Sequence, residues 1–301
     1  DLHLCDRRQR QMCIRDSSYS VKEDQAPEGY VRNTEDVYTF QFSYTNDKEA
    51  TVSFAHTFSN DRVTAKINLY KVDKETGKAV PQGDATLKGA VYGLYAREDI
   101  VHPDGATGTI YKAGEQVASL TTDDKGQASV NGLYLGKYYV KEITPPTGYL
   151  ADTEEHDLTC SYEGDMTAEV KRECTSSEQV IKQPFQIIKA ANNGKTDADL
   201  LSGAGFTVYL KSSLTKKADG SYDFDSAKPV VSGENGATEI FTDEKGYACS
   251  IPLPFGSYIV RETTTPHNYK PVDDFEVNIT EHHPNEPQIW RVLLDEEFKA
   301  K

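Results

Sequence analysis

The stretch YYVKEITPPTGY, Tyr138–Tyr149, decides how the rest of the chain is read. Side chains alternate across a strand, so Tyr138, Val140 and Glu142 share one face. If that face is the apolar one, a carboxylate points at the core, where an unpaired charge is strongly disfavoured. The same arrangement returns as YSVKEDQAPEGY (Tyr19–Tyr30) and as YIVRETTTPHNY (Tyr258–Tyr269). Three occurrences ask for one explanation, and they point first to an internal repeat.

Sliding the chain on itself by 242 − 122 = 120 residues aligns TTDDKGQASVNGLYLGKYYVKEITPPTGY with FTDEKGYACSIPLPFGSYIVRETTTPHNY without a gap. Earlier in each unit LKGAVYGLY (Leu87–Tyr95) answers LSGAGFTVY (Leu201–Tyr209), and an apolar strand carrying one lysine opens each: INLYK ends at Lys71, FQIIK at Lys189. DDKG and DEKG are tight-turn sequences in which Asp favours the turn and Gly supplies positive φ. The proline-containing tails stop the glutamate strand, because Pro cannot donate to a ladder. Asn268 stands where the middle unit has Gly148, and Asn tolerates the left-handed conformation next best. No helical period is present. Short strands between turn signals predict an all-β chain of tandem antiparallel sandwiches.

The boundaries follow from the repeat. Residues 63–183 and 184–301 are whole units, and 17–62 matches only the C-terminal half of one, as though cut from a longer array. Residues 1–16 (DLHLCDRRQRQMCIRD) are basic, show no strand period and resemble a translated adapter scar, with a genuine basic tail as the alternative; they are set aside. That leaves Cys160, Cys174 and Cys249, an odd number. Cys160 and Cys174 flank a turn-like YEGDM, but a hairpin centred there sets Cys160 nearer Ala168, so no disulfide is assigned.

Composition excludes several functions. A net charge of −15 argues against nucleic-acid binding. No apolar run approaches the length of a membrane span, and no stretch reads as a secretory signal or anchor. Tyr at 18 outnumbers Phe at 11, a balance suited to half-exposed pleated surfaces.

The combined pattern K…L-x-GA-x-F/Y…TD-x-x-G…G-x-Y-x-V-x-E-x-x-x-P-x-G-Y resembles the Cna protein B-type or SpaA-like pilin domain, a prealbumin-like (Ig-like) sandwich of Gram-positive surface proteins. The resemblance covers nearly all of 17–301. It implies an extracellular, cell-wall or cell-surface stalk segment whose partners are neighbouring repeats of the same chain. It also implies an intramolecular isopeptide bond, joining a first-strand Lys to an Asn or Asp of the last strand and promoted by the strand Glu. The buried Glu then has a reason. An amine attacks only when neutral, and an apolar site disfavours the cation; the same site keeps a carboxyl protonated, able to polarise the acceptor and pass protons. The reaction is a single self-reaction without turnover, so the chain is not an enzyme, and it uses no cofactor.

Carried over residue by residue, the roles fall on Lys189, Glu262 and Asp295 in the last unit. In the partial unit they fall on Glu23 and Asn60, whose lysine would lie upstream. Asn60 precedes Lys71 by 71 − 60 = 11 residues; the same offset before Lys189 reaches Glu178. The middle unit thus departs from the family pattern: Lys71 and Glu142 are in place, but the acceptor is a longer glutamate. Two readings stand there, a covalent link and a buried ion pair or hydrogen-bonded pair. A closed bond would stabilise by roughly 4–5 kcal/mol in chain-entropy terms, independently of redox conditions.

Other sites are thin. His282-His283 lacks a third metal ligand, the Asp-rich turns lack the alternating oxygens of an EF-hand loop, and Asn278-Ile279-Thr280 is a bare sequon. No hydrolase-type constellation repeats with the units. The competing function is a ligand-binding module of the same fold, taking carbohydrate or a host matrix protein on an inserted loop, Ala96–Gln116.

Overall fold

The computed structural model describes residues 16–43, 51–191, 199–293 and 299–300. Strands dominate, and the same two-sheet unit is built twice. In the middle unit the lysine strand, Thr64–Asp73, lies between Gln127–Leu133 and the closing strand Glu169–Glu178. The opposing sheet runs Glu155–Cys160, Gly136–Thr144, Val91–Ala96, Gln116–Thr121. The last unit repeats both orders. Phe185–Ala190 lies between Tyr247–Cys249 and Gln288–Leu293, opposite a sheet of Phe275–Ile279, Gly256–Thr264, Gly205–Leu210 and Glu239–Phe241. The sandwich expected from the repeat is present in both. Pairing within each unit is antiparallel except between the lysine strand and the closing strand, which run parallel.

Alternation of burial follows the period-two reading. Ala65, Ile67 and Leu69 point inward and Lys71 follows them on the same face; Tyr138, Val140 and Glu142 do the same from the other sheet. Tyr92, Leu94, Tyr138 and Val140 close the core between them, each such large apolar side chain contributing about 1.5–3 kcal/mol on burial. Phe185, Ile187, Phe206, Val208, Tyr258 and Val260 hold the equivalent core in the last unit.

The TD-x-K-G turn explains itself in atoms. Asp123 Oδ1 accepts the N–H groups of Lys125 and Gln127, both at 2.9 Å. The buried Thr122 hydroxyl donates to Leu87 O at 2.6 Å and accepts from Ala90 N at 3.0 Å. Asp243 and Thr242 repeat the set on Lys245, Tyr247, Leu201 and Ala204. Cys160, Cys174 and Cys249 are all free thiols, with no disulfide between them.

At the start of the described chain, Asp16–Lys22 pairs antiparallel with Val37–Ser43, so Asp16, grouped by sequence with the leading segment, opens a strand. Residues 51–61 form no ladder; Arg62 makes a single bridge to Tyr30. The Ala96–Gln116 insertion carries a small ladder, Ile100–Val101 with Thr109–Tyr111. Ile100 is part of the core. A Cβ placed on Gly29 would lie 2.6 Å from Pro103 Cβ, so the insertion packs directly against the N-terminal piece.

The two complete units are docked rather than merely tethered. Phe255 packs on a cluster of Ala85, Leu87, Tyr149 and Val180, its N–H donates to Ile181 O at 2.8 Å, and its carbonyl accepts from Asp84 N at 2.8 Å. Asp84 Oδ2 in turn accepts from Ser257 N at 3.0 Å. Lys182 pairs with Glu75, and its N–H donates to His282 Nδ1 at 3.1 Å, which is where one of the paired histidines goes. Gly148 sits under this joint at φ +86°, where an added Cβ would meet Ala85 Cβ at 2.6 Å and Phe255 Cδ1 at 2.9 Å. Gly148→Ala is therefore expected to cost about 2–4 kcal/mol from left-handed strain and overpacking together. Calorimetric unfolding checks this; an unchanged midpoint would contradict the docking role.

Candidate functional site

One glutamate contact recurs in all three units. Glu23 Oε2 accepts the backbone N–H of Asn33 at 2.8 Å, Glu142 Oε2 that of Asp152 at 2.7 Å, and Glu262 Oε2 that of Val272 at 2.8 Å, each from ten residues further along. The tail after the strand stops at its prolines, turns at Gly29, Gly148 or Asn268 (φ +88°, +86° and +70°), and returns past the carboxylate. A local turn thus fixes the carboxylate beside the lysine strand: in the last unit the oxygen it holds is also the one that meets Lys189, and in the middle unit the other oxygen, Oε1, faces Lys71.

In the partial unit Asn60 Nδ2 donates to Glu23 Oε2 at 2.6 Å and to Val31 O at 2.8 Å, so Glu23 and Asn60 come together as the spacing implies. In the last unit Lys189, fully buried, donates to Glu262 Oε2 at 2.8 Å. Asp295, the acceptor expected there, lies outside the described residues. Lys189 pairs in the parallel ladder with Val292.

The middle unit places all three of its residues together. Lys71 is fully buried, Glu178 is 2% exposed, and Lys71 Nζ contacts Glu178 Oε2 with Glu142 Oε1 at 3.9 Å. Lys71 Nζ, Glu142 Oε1 and Glu178 Oε2 make no hydrogen bond of good geometry among the described residues. Three ionised groups here would carry an uncompensated negative charge in a water-poor site, and the titrations shift accordingly. Burial pulls the Lys71 amine down to about 8, against the opposing pull of Glu142, Asp152 and Asp73. Burial pushes the Glu142 carboxyl up, outweighing the Asp152 N–H and the Lys71 charge that favour its ionised form. A neutral amine beside a protonatable carboxyl is the combination that amide formation requires.

Sequence reasoning missed the residues around this trio. The other oxygen of Glu178, Oε1, accepts from Tyr92 OH at 2.6 Å and lies 3.2 Å from Ser176 Oγ. Ser176 Oγ also reaches Asp152 Oδ2 at 2.9 Å, which His156 Nε2 contacts at 2.8 Å. Tyr149 lays its ring 5.0 Å from Lys71 Nζ, and its hydroxyl donates to buried Asp73 at 3.0 Å. For Tyr92, Ser176, Asp152 and His156 the signal was available only as a contrast between units, polar side chains in one repeat where the other has apolar ones; Tyr149 is matched by Tyr269 and gives no contrast.

Among the described residues no group of His, Cys, Asp and Glu is arranged to hold a metal ion, and no helix is long and apolar enough to cross a membrane.

A family model described as the SpaA prealbumin-like fold domain matches residues 65–173 and 184–289. Among solved structures, the Bacillus anthracis TIE protein is similar at 23% identity and a TM-score of 0.53, over 95% of this chain and 42% of that one. The chain thus spans less than half of that protein, and at this identity the likeness shows a shared fold. GBS52, the minor pilin of Streptococcus agalactiae, is 17% identical over 76% of this chain and 94% of its own, at a TM-score of 0.30. The shaft pilin spaA of Lactobacillus rhamnosus GG is 18% identical over 77% and 96%, at 0.27. No curated protein matches the chain.

Proposed function

Because the chain belongs to the SpaA prealbumin-like domain family, we propose that it is a segment of an extracellular, cell-surface stalk of the adhesin or pilin kind, made of docked sandwich modules that cross-link themselves. The observation that carries this reading is the buried Lys71–Glu142–Glu178 set, repeated as Lys189–Glu262 and Glu23–Asn60. A link between the first and last strands of a unit ties together the two strands at which a pull along the chain enters and leaves it. Such a bond acts on the unfolding rate and on proteolysis as much as on equilibrium stability. The Phe255 joint supports a stiff array. Asp295 is the proposed partner of Lys189.

Use of the insertion for a host ligand has less support, since Ile100 is part of the core and Pro103 packs against Gly29.

The test exploits the chemistry of the acceptor. Lys71 and Glu178 join with loss of water; Lys71 and the amide of a Glu178→Gln variant join with loss of ammonia, giving the same product. The matured variant is therefore expected to have the mass of the matured wild type and to release the same Lys71–Glu178 linked peptide. Masses that differ by the amide-for-acid exchange, with Lys71 recovered free, would show an ion pair instead.

A further inference from the structure

The strand registers allow the middle and last units to be compared position by position around the trio. Tyr92 pairs with Glu142 across its sheet, and Phe206 pairs with Glu262. Ser176 pairs with Lys71, and Val292 pairs with Lys189. Asp152 gives its N–H to Glu142 where Val272 gives its own to Glu262. His156 lies opposite Val140 where Phe275 lies opposite Val260. At four positions around the reacting groups, the unit with the glutamate acceptor is polar and its sister is apolar. All four polar residues join one chain that ends on Glu178 Oε1.

We propose that Tyr92 and Ser176 are catalytic residues of the middle unit, a pair of hydroxyl donors that hold Glu178 Oε1 as the oxyanion while Lys71 forms its amide. The inference rests on the cross-linking read above and assigns the groups that adapt this site to a glutamate. A glutamate has one more rotatable bond than an aspartate, so it needs more restraint before its carbon is presented to the amine. The two oxygens of Glu178 are already distinguished: Oε1 faces the two hydroxyls and Oε2 faces Lys71 Nζ.

The steps balance. A proton passes from the Lys71 ammonium to Glu178 Oε2 within their contact, leaving a neutral amine and a carboxylic acid. The Nζ lone pair attacks Cδ, a C–N bond forms, and the C=O π pair moves onto Oε1. Protonated Glu142 gives its proton to the Oε2 hydroxyl, which leaves as water while Oε1 regains its double bond, and takes one proton back from the nitrogen, which ends as the amide N–H. Ser176 has one hydroxyl proton and two acceptors within reach, Asp152 Oδ2 and Glu178 Oε1. Its bond to Oε1 strengthens as charge develops there, and an interaction stronger in the transition state than in the ground state is one that accelerates. Asp152 holds the hydroxyl in place beforehand, as a positioning residue.

The experiment follows bond formation in the full chain made by cell-free synthesis, quenched at intervals, with the linked Lys71–Glu178 tryptic peptide quantified by mass spectrometry. Folding of each variant is checked by resistance of the buried Cys160 and Cys174 to alkylation. Tyr92→Phe and Ser176→Ala are each expected to slow joining by about 10²-fold, the scale of losing one oxyanion donor. Ser176→Thr, which keeps the hydroxyl, is expected to join within a few-fold of the wild type. Joining at the wild-type rate in both Tyr92→Phe and Ser176→Ala overturns this inference and leaves the cross-linking intact. Joining in Ser176→Thr as slow as in Ser176→Ala also overturns it, since the hydroxyl would then not be what matters. A wild type that never joins defeats the cross-linking itself.

Discussion

Replacing Lys71 by methionine is expected to lower the melting temperature of the middle unit by on the order of 15 °C. The loop that the proposed Lys71–Glu178 bond would close spans 178 − 71 = 107 residues, and a cross-link of that length contributes about 4–5 kcal/mol. The apolar replacement also leaves Glu142 and Glu178 facing each other in a buried site with no cation. That second effect has a pH signature. The Glu142 carboxyl is already raised by burial above its ordinary 4.5, despite the favourable Lys71 charge. Removing the charge raises it further. A carboxyl whose folded value lies above its unfolded one binds more protons in the native state. Its stabilising contribution is full below the unfolded value and is lost as pH rises through the folded one. The variant should therefore regain stability between pH 8 and pH 5, while the wild type changes less. Scanning calorimetry at the two pH values decides it; a variant melting within about 2 °C of the wild type at neutral pH would show that Lys71 does not hold the unit together.

Glu262→Gln tests the last unit at a site where shape is kept and charge is removed. The amide oxygen can still accept from Val272 N, but Lys189, fully buried, loses its carboxylate partner. Without the carboxylate that promotes the proposed Lys189–Asp295 link, the buried amine stays unjoined and loses one partner, and breaking a buried pair on one side costs about 3–5 kcal/mol. Glu276→Gln is the control in the same unit. Its partner Lys211 is 39% exposed, and solvent screens a pair so open that it contributes little to stability. Denaturant unfolding, with the middle unit as internal reference, should show a large shift of the last unit's transition for Glu262→Gln and almost none for Glu276→Gln. Equal small shifts would mean that Lys189 and Glu262 are only an ordinary ion pair.

The choice of Gly148→Ala follows from the same physics on the backbone side. Proline tails and glycine turns were legible as strand stops, and the left-handed φ at Gly148 and Asn268 agrees with that. That Gly148 also lies beneath Phe255 of the following unit was not legible, because nothing in either local sequence refers to the other. His282 illustrates the same gap: it reads as half of a metal-like pair, and its ring nitrogen accepts a backbone N–H at the joint.

By itself the sequence determined the repeat, the all-β sandwich, and the inward face that carries Lys71, Glu142, Lys189 and Glu262. Those follow from alternation along a strand, a property of the chain within a few residues. Only the tertiary structure decided what those residues meet. The parallel ladder sets Ser176 opposite Lys71 and so brings Glu178, two residues on, to the amine. Packing of the second sheet then delivers Tyr92 to the far oxygen. Strand register and sheet-to-sheet packing are set by contacts between residues far apart in sequence. Glu142 posed the question in its own strand, and the groups that answer it lie on three others.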